Sequence, residues 1–198
     1  MKYPDDLLSL VSALKKFPGV GRKTAERFAF ECLTWPEGEL QQLGQIFSSI
    51  RKKIPPCEIC GCLTDQGQCL FCDESHRDPH SLCILASPRD VYAIEETRTY
   101  KGLYHVIEHL LSPMDGRHAS AINMSRIEER IKKHQIQEVI LAIDSTLEGD
   151  TTVLYLKERL SIFPVTFSRL AFGIPLGSSI DHIDGGTLSR AFTGRQSI

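Results

Sequence analysis

A long apolar run is missing from this 198-residue chain. No stretch stays apolar for the roughly 20 residues that a helix needs to cross a bilayer, which excludes a membrane-spanning helix from the reading. The opening residues, Met1-Lys-Tyr-Pro-Asp-Asp-Leu7, put acids where a secretory leader is apolar, so no export signal is expected. A nucleotide-hydrolase phosphate loop is also missing: Gly173-Ile-Pro-Leu-Gly177-Ser-Ser has no Gly-Lys-Ser/Thr after it. None of the seven histidines shows a metal-ligand spacing that competes with the cysteines, and each reads as a surface or packing residue. Neither sign of charge dominates, because the net is only −2.

That small net hides an asymmetry. Residues 1–56 carry nine Lys/Arg against six Asp/Glu, a net of +3, which leaves −5 for residues 57–198. A basic N-terminal part joined to a larger acidic part suggests two surfaces with different partners. Hydrophobic content of 41% and charged content of 24% are ordinary for a globular protein.

Cysteine is the residue type whose placement says most. Cys57-Glu-Ile-Cys60 and Cys69-Leu-Phe-Cys72 are two Cys-x-x-Cys pairs separated by eight residues. Each pair is a tight knuckle that turns two sulfurs toward one point, and two knuckles complete a tetrahedron. The loop between them, Gly61 to Gln68, is polar with glycine at two places and can turn back on itself. Two disulfides or a redox pair compete with this reading, but two pairs in register favour one structural zinc. Four thiolates leave no open position for a catalytic water. An odd total of seven cysteines in a chain without an export signal suggests reduced thiols and a cytoplasmic location. Cys32 and Cys83 read as core residues. Cys62, one residue beyond Cys60, is too close in sequence to ligate beside it and is left out of the ligand set.

The basic part contains Phe17-Pro-Gly-Val-Gly21-Arg-Lys-Thr-Ala-Glu-Arg27. Apolar spacing predicts a helix from about Leu7 to Lys16, stopped by Pro18-Gly19, and a second after Gly21 through Ala25, Phe28 and Ala29. Such a hairpin resembles the helix-hairpin-helix motif of DNA-binding proteins. Gly19 and Gly21 would let the backbone approach a phosphate, and the first amides of the second helix would bind it. Arg22 and Lys23 stand on that first turn, where a cation opposes the helix dipole unless an anion is present. Arg27 lies one turn further on. A plain helical hairpin with solvated cations is the competing reading. Trp35-Pro-Glu-Gly38 breaks the chain, and Leu40, Leu43, Ile46, Phe47 and Ile50 then mark a third helix. Its basic end, Arg51-Lys-Lys53, suits a phosphate or the helix dipole equally well.

From residue 80 onward strands and helices alternate, which predicts an α/β domain with a mainly parallel sheet. Strands are expected at 81–86, 104–107, 138–143 and 164–167, with helices at 88–97 and 154–160. A further helix carrying Ile122, Met124, Ile127 and Ile131 is expected, capped by Ser125 and Glu128. Function on such sheets gathers at the carboxyl ends of the strands. Asp90 lies there after the first strand, and Asp144, Glu148 and Asp150 after the central one. These acids suit either a magnesium site or helix caps and exposed surface.

The order of hairpin, cysteine quartet and α/β domain resembles the RecR family of bacterial recombination proteins, whose α/β part is a Toprim domain. The matching segments are Phe17–Gly21, the quartet, Ser87–Glu95, His109–Gly116, Glu138–Ala142, Thr146–Gly149, Arg169–Gly177 and Asp184–Leu188, which together span nearly the whole chain. The resemblance implies a hairpin region at 1–56, a four-cysteine zinc finger at 57–72, a Toprim domain at 80–175 and an oligomerisation tail at 176–198. It implies a non-enzymatic DNA clamp in recombinational repair, a homo-oligomeric ring, expected to be a tetramer. With RecO and RecF, the ring would help place RecA on single-stranded DNA coated by single-strand-binding protein.

By position, Lys23 and Arg27 would touch DNA, and Cys57, Cys60, Cys69 and Cys72 would hold zinc. Asp90, Glu148 and Asp150 would look toward RecO. The chain departs from the pattern at Ala86, where the Toprim glutamate usually stands. Enzymes of this type use that glutamate as general acid or base. Asp144 stands where relatives often have an amide. A magnesium-dependent Toprim nuclease or primase is the alternative reading, and magnesium is not expected to be required otherwise. A protein adaptor with a purely structural hairpin is a third.

Overall fold

The computed structural model describes residues 3–72, 74–171 and 173–195. Residues 1, 2, 172 and 196–198, which fall in the expected hairpin, Toprim and tail segments, lie outside the described residues. The chain divides into two units, 1–53 and 54–198.

The first unit is helical: α1 (Asp5–Leu14), α2 (Arg22–Cys32) and α3 (Glu37–Lys53). Leu7 and Val11 of α1 pack on Ala25 and Ala29 of α2, with Leu10, Leu14 and Val20 at the edge. Two alanines a turn apart let the helices approach closely, and Val20 pins the intervening turn. α1 starts and stops about two residues before the expected span. Asp5 and Asp6 suit the positive helix start, and Phe17 is already in the turn, its N–H bonding the Leu14 carbonyl at 3.1 Å. Cys32, expected in the core, is only half-buried at the last position of α2. The apolar stripe of α3 has no buried residue within the described chain.

The second unit holds a four-stranded parallel sheet in the order β2-β1-β3-β4. The strands are β1 (Asp78–Leu85), β2 (Gly102–Val106), β3 (Glu138–Ala142) and β4 (Thr166–Arg169). The helices are α4 (Pro88–Thr97), α5 (Met124–His134), α6 (Leu147–Leu160) and α7 (Gly185–Thr193). Strand alternation splits the core in two. Leu82, Ile84, Leu103, Val139 and Leu141 face one side and join Ile127 and Ile131 of α5 and Leu156 and Leu160 of α6. Cys83, Leu85, Tyr104, Val106 and Ala142 face the other and join Val91 of α4. Cys60, Cys62 and Phe71 complete that second face, so the cysteine-rich segment covers part of the sheet as a helix would. Each buried Leu or Ile contributes roughly 1.5–3 kcal/mol relative to exposure.

In this second unit two helix starts differ from expectation. α5 is capped by Asn123, whose side chain accepts from the Arg126 N–H, so Ser125 lies inside the helix and Ile122 before it. α6 begins seven residues before the expected Leu154, because the Thr146 side chain accepts from the Gly149 N–H and nucleates the turn. β4 is also later than expected, since Val165 closes a turn onto Phe163 before the ladder begins. Among the described residues no helix is long and apolar enough to cross a membrane.

Candidate functional site

The four cysteines expected to act together are brought together. Their sulfurs all lie within 4.8 Å of one another. Cys57 and Cys72 are 3.8 Å apart and Cys60 and Cys69 are 3.5 Å apart. Zinc–sulfur bonds of about 2.3 Å in a tetrahedron place the sulfurs about 3.8 Å from one another, so the donor set fits one such ion. Crowding alone makes the sulfurs unequal. Hydrogen bonding with Cys62 and then Cys69 pushes the Cys60 thiol up, and contacts with Cys60 and Cys69 push Cys72 up. Bonds from Cys60 and Cys72 hold Cys69 down at about 2. A divalent cation is what lets all four sulfurs be thiolates together.

Local chemistry explains the knuckle. The Gly61 N–H bonds the Cys57 carbonyl at 2.8 Å, and the Cys57 N–H bonds the Cys62 carbonyl at 2.6 Å. Gly61 has φ of +73°, and a Cβ there would lie 2.6 Å from the Val106 carbonyl oxygen. Gln66 and Gly67, both at positive φ, make the tight turn between Asp65 and Gln68.

The cluster is stitched to the sheet. The Val106 N–H donates to the Cys60 carbonyl at 2.7 Å. Phe71 meets Tyr92 and Tyr104 edge to face. The Arg77 guanidinium lies 5.2 Å from the Phe71 ring centre and 5.1 Å from that of Tyr104. Its far side bonds Glu95 at 2.8 Å and the Gly102 carbonyl at 2.9 Å. Burial pulls the Glu95 carboxyl upward, but the Tyr104 hydroxyl and Arg77 outweigh it and hold the group low. Cys62, set aside as a ligand, is fully buried beside Cys60. Arg77 carried no signal in the sequence beyond its place next to the quartet.

The hairpin residues lie at the turn before α2 and along its first half. Gly19 takes φ of +78°, and Gly21 is the extended residue that starts α2 without any side-chain cap. The first turn of α2 holds Arg22 and Lys23 and no acid. Arg22 is engaged by Glu26 at 2.9 Å, which raises its pKa. Arg27 lies over the Phe28 ring. Lys23 has no ion pair or hydrogen bond among the described residues.

The acidic residues converge only in part. Asp90 sits in the first turn of α4, after the Ser87 cap. Burial, then the charge of Asp144, pushes its carboxyl up. Glu148 and Asp150 lie in the first turn of α6. Asp150 is turned toward cations: Arg169 at 2.7 Å and Arg190 of α7 at 3.9 Å. Arg190 also donates to the Ser145 hydroxyl. Gly149 is required between them, since a Cβ there would meet the Asp144 carbonyl oxygen at 2.0 Å. Among the described residues, the cysteine quartet is the one group of His, Cys, Asp or Glu whose ligand atoms converge as a metal site requires. Arg169 lay within a noted sequence segment, but nothing in the sequence linked it to Asp150.

Comparison with known proteins agrees with these parts. A RecR helix-hairpin-helix family model matches residues 7–50, a Toprim domain model residues 80–171, and a RecR C-terminal model residues 173–196. Recombination protein RecR of Protochlamydia amoebophila is 52% identical over 195 residues, covering 98% of each chain. Those of Chlamydia caviae and Chlamydia felis are 45% and 46% identical over 197 residues, again covering 98% of each chain. The chain belongs to the RecR family of recombination proteins.

Proposed function

We propose that this protein is a DNA-binding mediator of recombinational repair that holds DNA by its phosphates and catalyses no reaction itself. The observation that carries this is the uncapped start of α2. Gly19 and Gly21 keep the turn open to a close approach, no acid stands on the first helical turn, and Lys23 is left unpaired beside the free amides. Contacts of this type position DNA without reading its sequence. Gly19, Gly21, Arg22, Lys23 and Arg27 form the DNA-facing set, with Arg22 able to exchange Glu26 for a phosphate.

Cys57, Cys60, Cys69 and Cys72 hold one zinc ion, whose role is to fix the segment 57–72 on the sheet. Asp90, Asp144, Glu148 and Asp150 form an acidic surface for a protein partner, RecO, which with RecF directs the assembly toward RecA loading. Residues 1–56 and the tail 176–198 supply the contacts that close copies of the chain into a tetrameric ring. Ala86 in place of a carboxylate, and Asp150 neutralised by two arginines, weigh against a magnesium-dependent enzyme. The test is a gapped duplex incubated with the native chain and with Lys23→Ala in the presence of Mg²⁺. Retarded but uncut DNA with the native chain, and weaker retardation with the variant, supports the reading. Cut DNA, or equal retardation by both, contradicts it.

A further inference from the structure

A cleft of about 500 Å³ opens at the carboxyl ends of β1 and β2, between the first cysteine knuckle and the start of α5. All of its lining residues belong to the unit 54–198, which carries the Toprim region. Ala86, where the family pattern has a glutamate, is part of its wall, so the space a carboxylate would fill is left to a ligand.

One lining residue, His105, is held in a single protonation state. His105 is 5% exposed. Its Nδ1 lies 3.3 Å from an Nη of Arg130, a buried guanidinium that also donates to the Tyr104 carbonyl. Arginine can only donate, so Nδ1 is the acceptor and the proton sits on Nε2. Burial, then the charges of Arg130 and Arg126, keep the ring neutral by holding its pKa down at about 3. No hydrogen bond to Nε2–H occurs among the described residues, although the ring lines the cleft. The ring therefore presents one neutral donor to the cleft.

Pro56, Pro88 and Ile107 supply apolar surface to the lining. The lining is otherwise polar, with Arg126, the Asn123 amide, Glu58 and Glu108. Asn123 uses its oxygen to cap α5, which leaves its NH₂ as a second donor. Two carboxylates against one guanidinium disfavour a free anion. They suit a flat neutral group with apolar faces and an edge of mixed donors and acceptors, which describes a nucleobase.

We propose that this cleft receives a single unstacked nucleobase of single-stranded DNA, with His105 Nε2–H donating to a ring nitrogen or carbonyl, the lining carboxylates accepting from an exocyclic amine, and Arg126 on the adjoining phosphate. It rests on the DNA-binding reading above and adds a second, base-contacting site to it.

The test uses the full-length protein, an end-labelled oligothymidylate and one internal 2-aminopurine. Anisotropy of the end label reports binding, and 2-aminopurine emission reports unstacking. Emission is expected to rise when the native chain binds. The rise should be lost in Ala86→Leu, which fills the cleft, while anisotropy still reports binding. His105→Phe serves as a second variant should Ala86→Leu fail to fold. Flat emission in the bound native complex, or a rise that survives in the folded variants, overturns the proposal. A separate arm follows the His105 Nε2–H resonance on addition of free deoxyadenosine. A shift supports the cleft even if the hairpin fails to bind DNA, and no shift overturns the cleft even if the hairpin binds.

Discussion

Arg169, the last residue of β4, reaches across the carboxyl end of the sheet to within 2.7 Å of Asp150 on α6. The same guanidinium lies 3.3 Å from the Ile143 carbonyl, so it joins the ends of β3, β4 and α6. The acid that would most readily serve a metal is thus part of a structural crossing. Asp150 is 40% exposed, so solvent screens the pair. Arg169→Ala should cost about 1 kcal/mol, mostly through the carbonyl left without its donor. Urea midpoints of native and variant chains measure this, and Asp150→Asn should cost less.

The glycines of the cysteine-rich segment separate two effects. Gly61 and Gly67 both have positive φ, but a Cβ on Gly61 would strike the Val106 carbonyl whereas one on Gly67 meets nothing within 4 Å. Gly67→Ala should cost about 1 kcal/mol, the ordinary penalty of the left-handed conformation. Gly61→Ala should cost about 2 kcal/mol or more, because the clash is with backbone that cannot swing aside. Equal melting temperatures for the two variants would contradict the packing of Cys60 on β2.

Metal removal should act on one face of the sheet. Chelation under reducing conditions should release one zinc per chain and loosen 57–72, freeing Phe71 from Tyr92 and Tyr104. Near-ultraviolet dichroism should fall. Far-ultraviolet helix signal should largely persist, because α5 and α6 pack on the opposite face. An unchanged near-ultraviolet spectrum after full metal loss would contradict a structural role for the ion.

His105 sets an acid limit on stability. Its folded pKa is lowered to about 3 by burial and by Arg130 and Arg126. An unfolded histidine takes up a proton below about pH 6.5, while the folded ring stays neutral, so stability falls as pH drops from there toward 3. The loss attributable to this group is about 1.4 kcal/mol per pH unit at most. Denaturation of native chain and His105→Phe between neutrality and acid should show a steeper decline for the native chain. Parallel declines would mean that the ring titrates normally.

Much of the α/β part was legible because its strands are short apolar runs with helices at regular intervals. The span of α4 was readable from Pro88 at its first turn; the Ser87 cap is seen in the structure. The start of α6 was not, since Leu147-Glu-Gly-Asp-Thr-Thr mixes glycine and β-branched residues and reads as a loop. Only the Thr146 bond to Gly149 reveals the helix. The quartet was readable from spacing alone. Its docking was not, because Cys60 and Phe71 touch β2 and α4 through contacts distant in sequence. The ion pairing of Asp150 was not readable for the same reason: its partners Arg169 and Arg190 lie 19 and 40 positions away. Arg130 could have been found, since it shares a helical face with Ile127, Ile131 and His134 and is as buried as they are.

The most direct test of the DNA-binding role is the affinity for a gapped duplex across a salt series, in the native chain and in Lys23→Ala. Each phosphate contact adds about 0.9 to the slope of log affinity against log salt. A steep native slope that becomes shallower by about 1 in Lys23→Ala is expected, with no dependence on DNA sequence. Identical slopes in the two proteins would contradict phosphate binding at the start of α2.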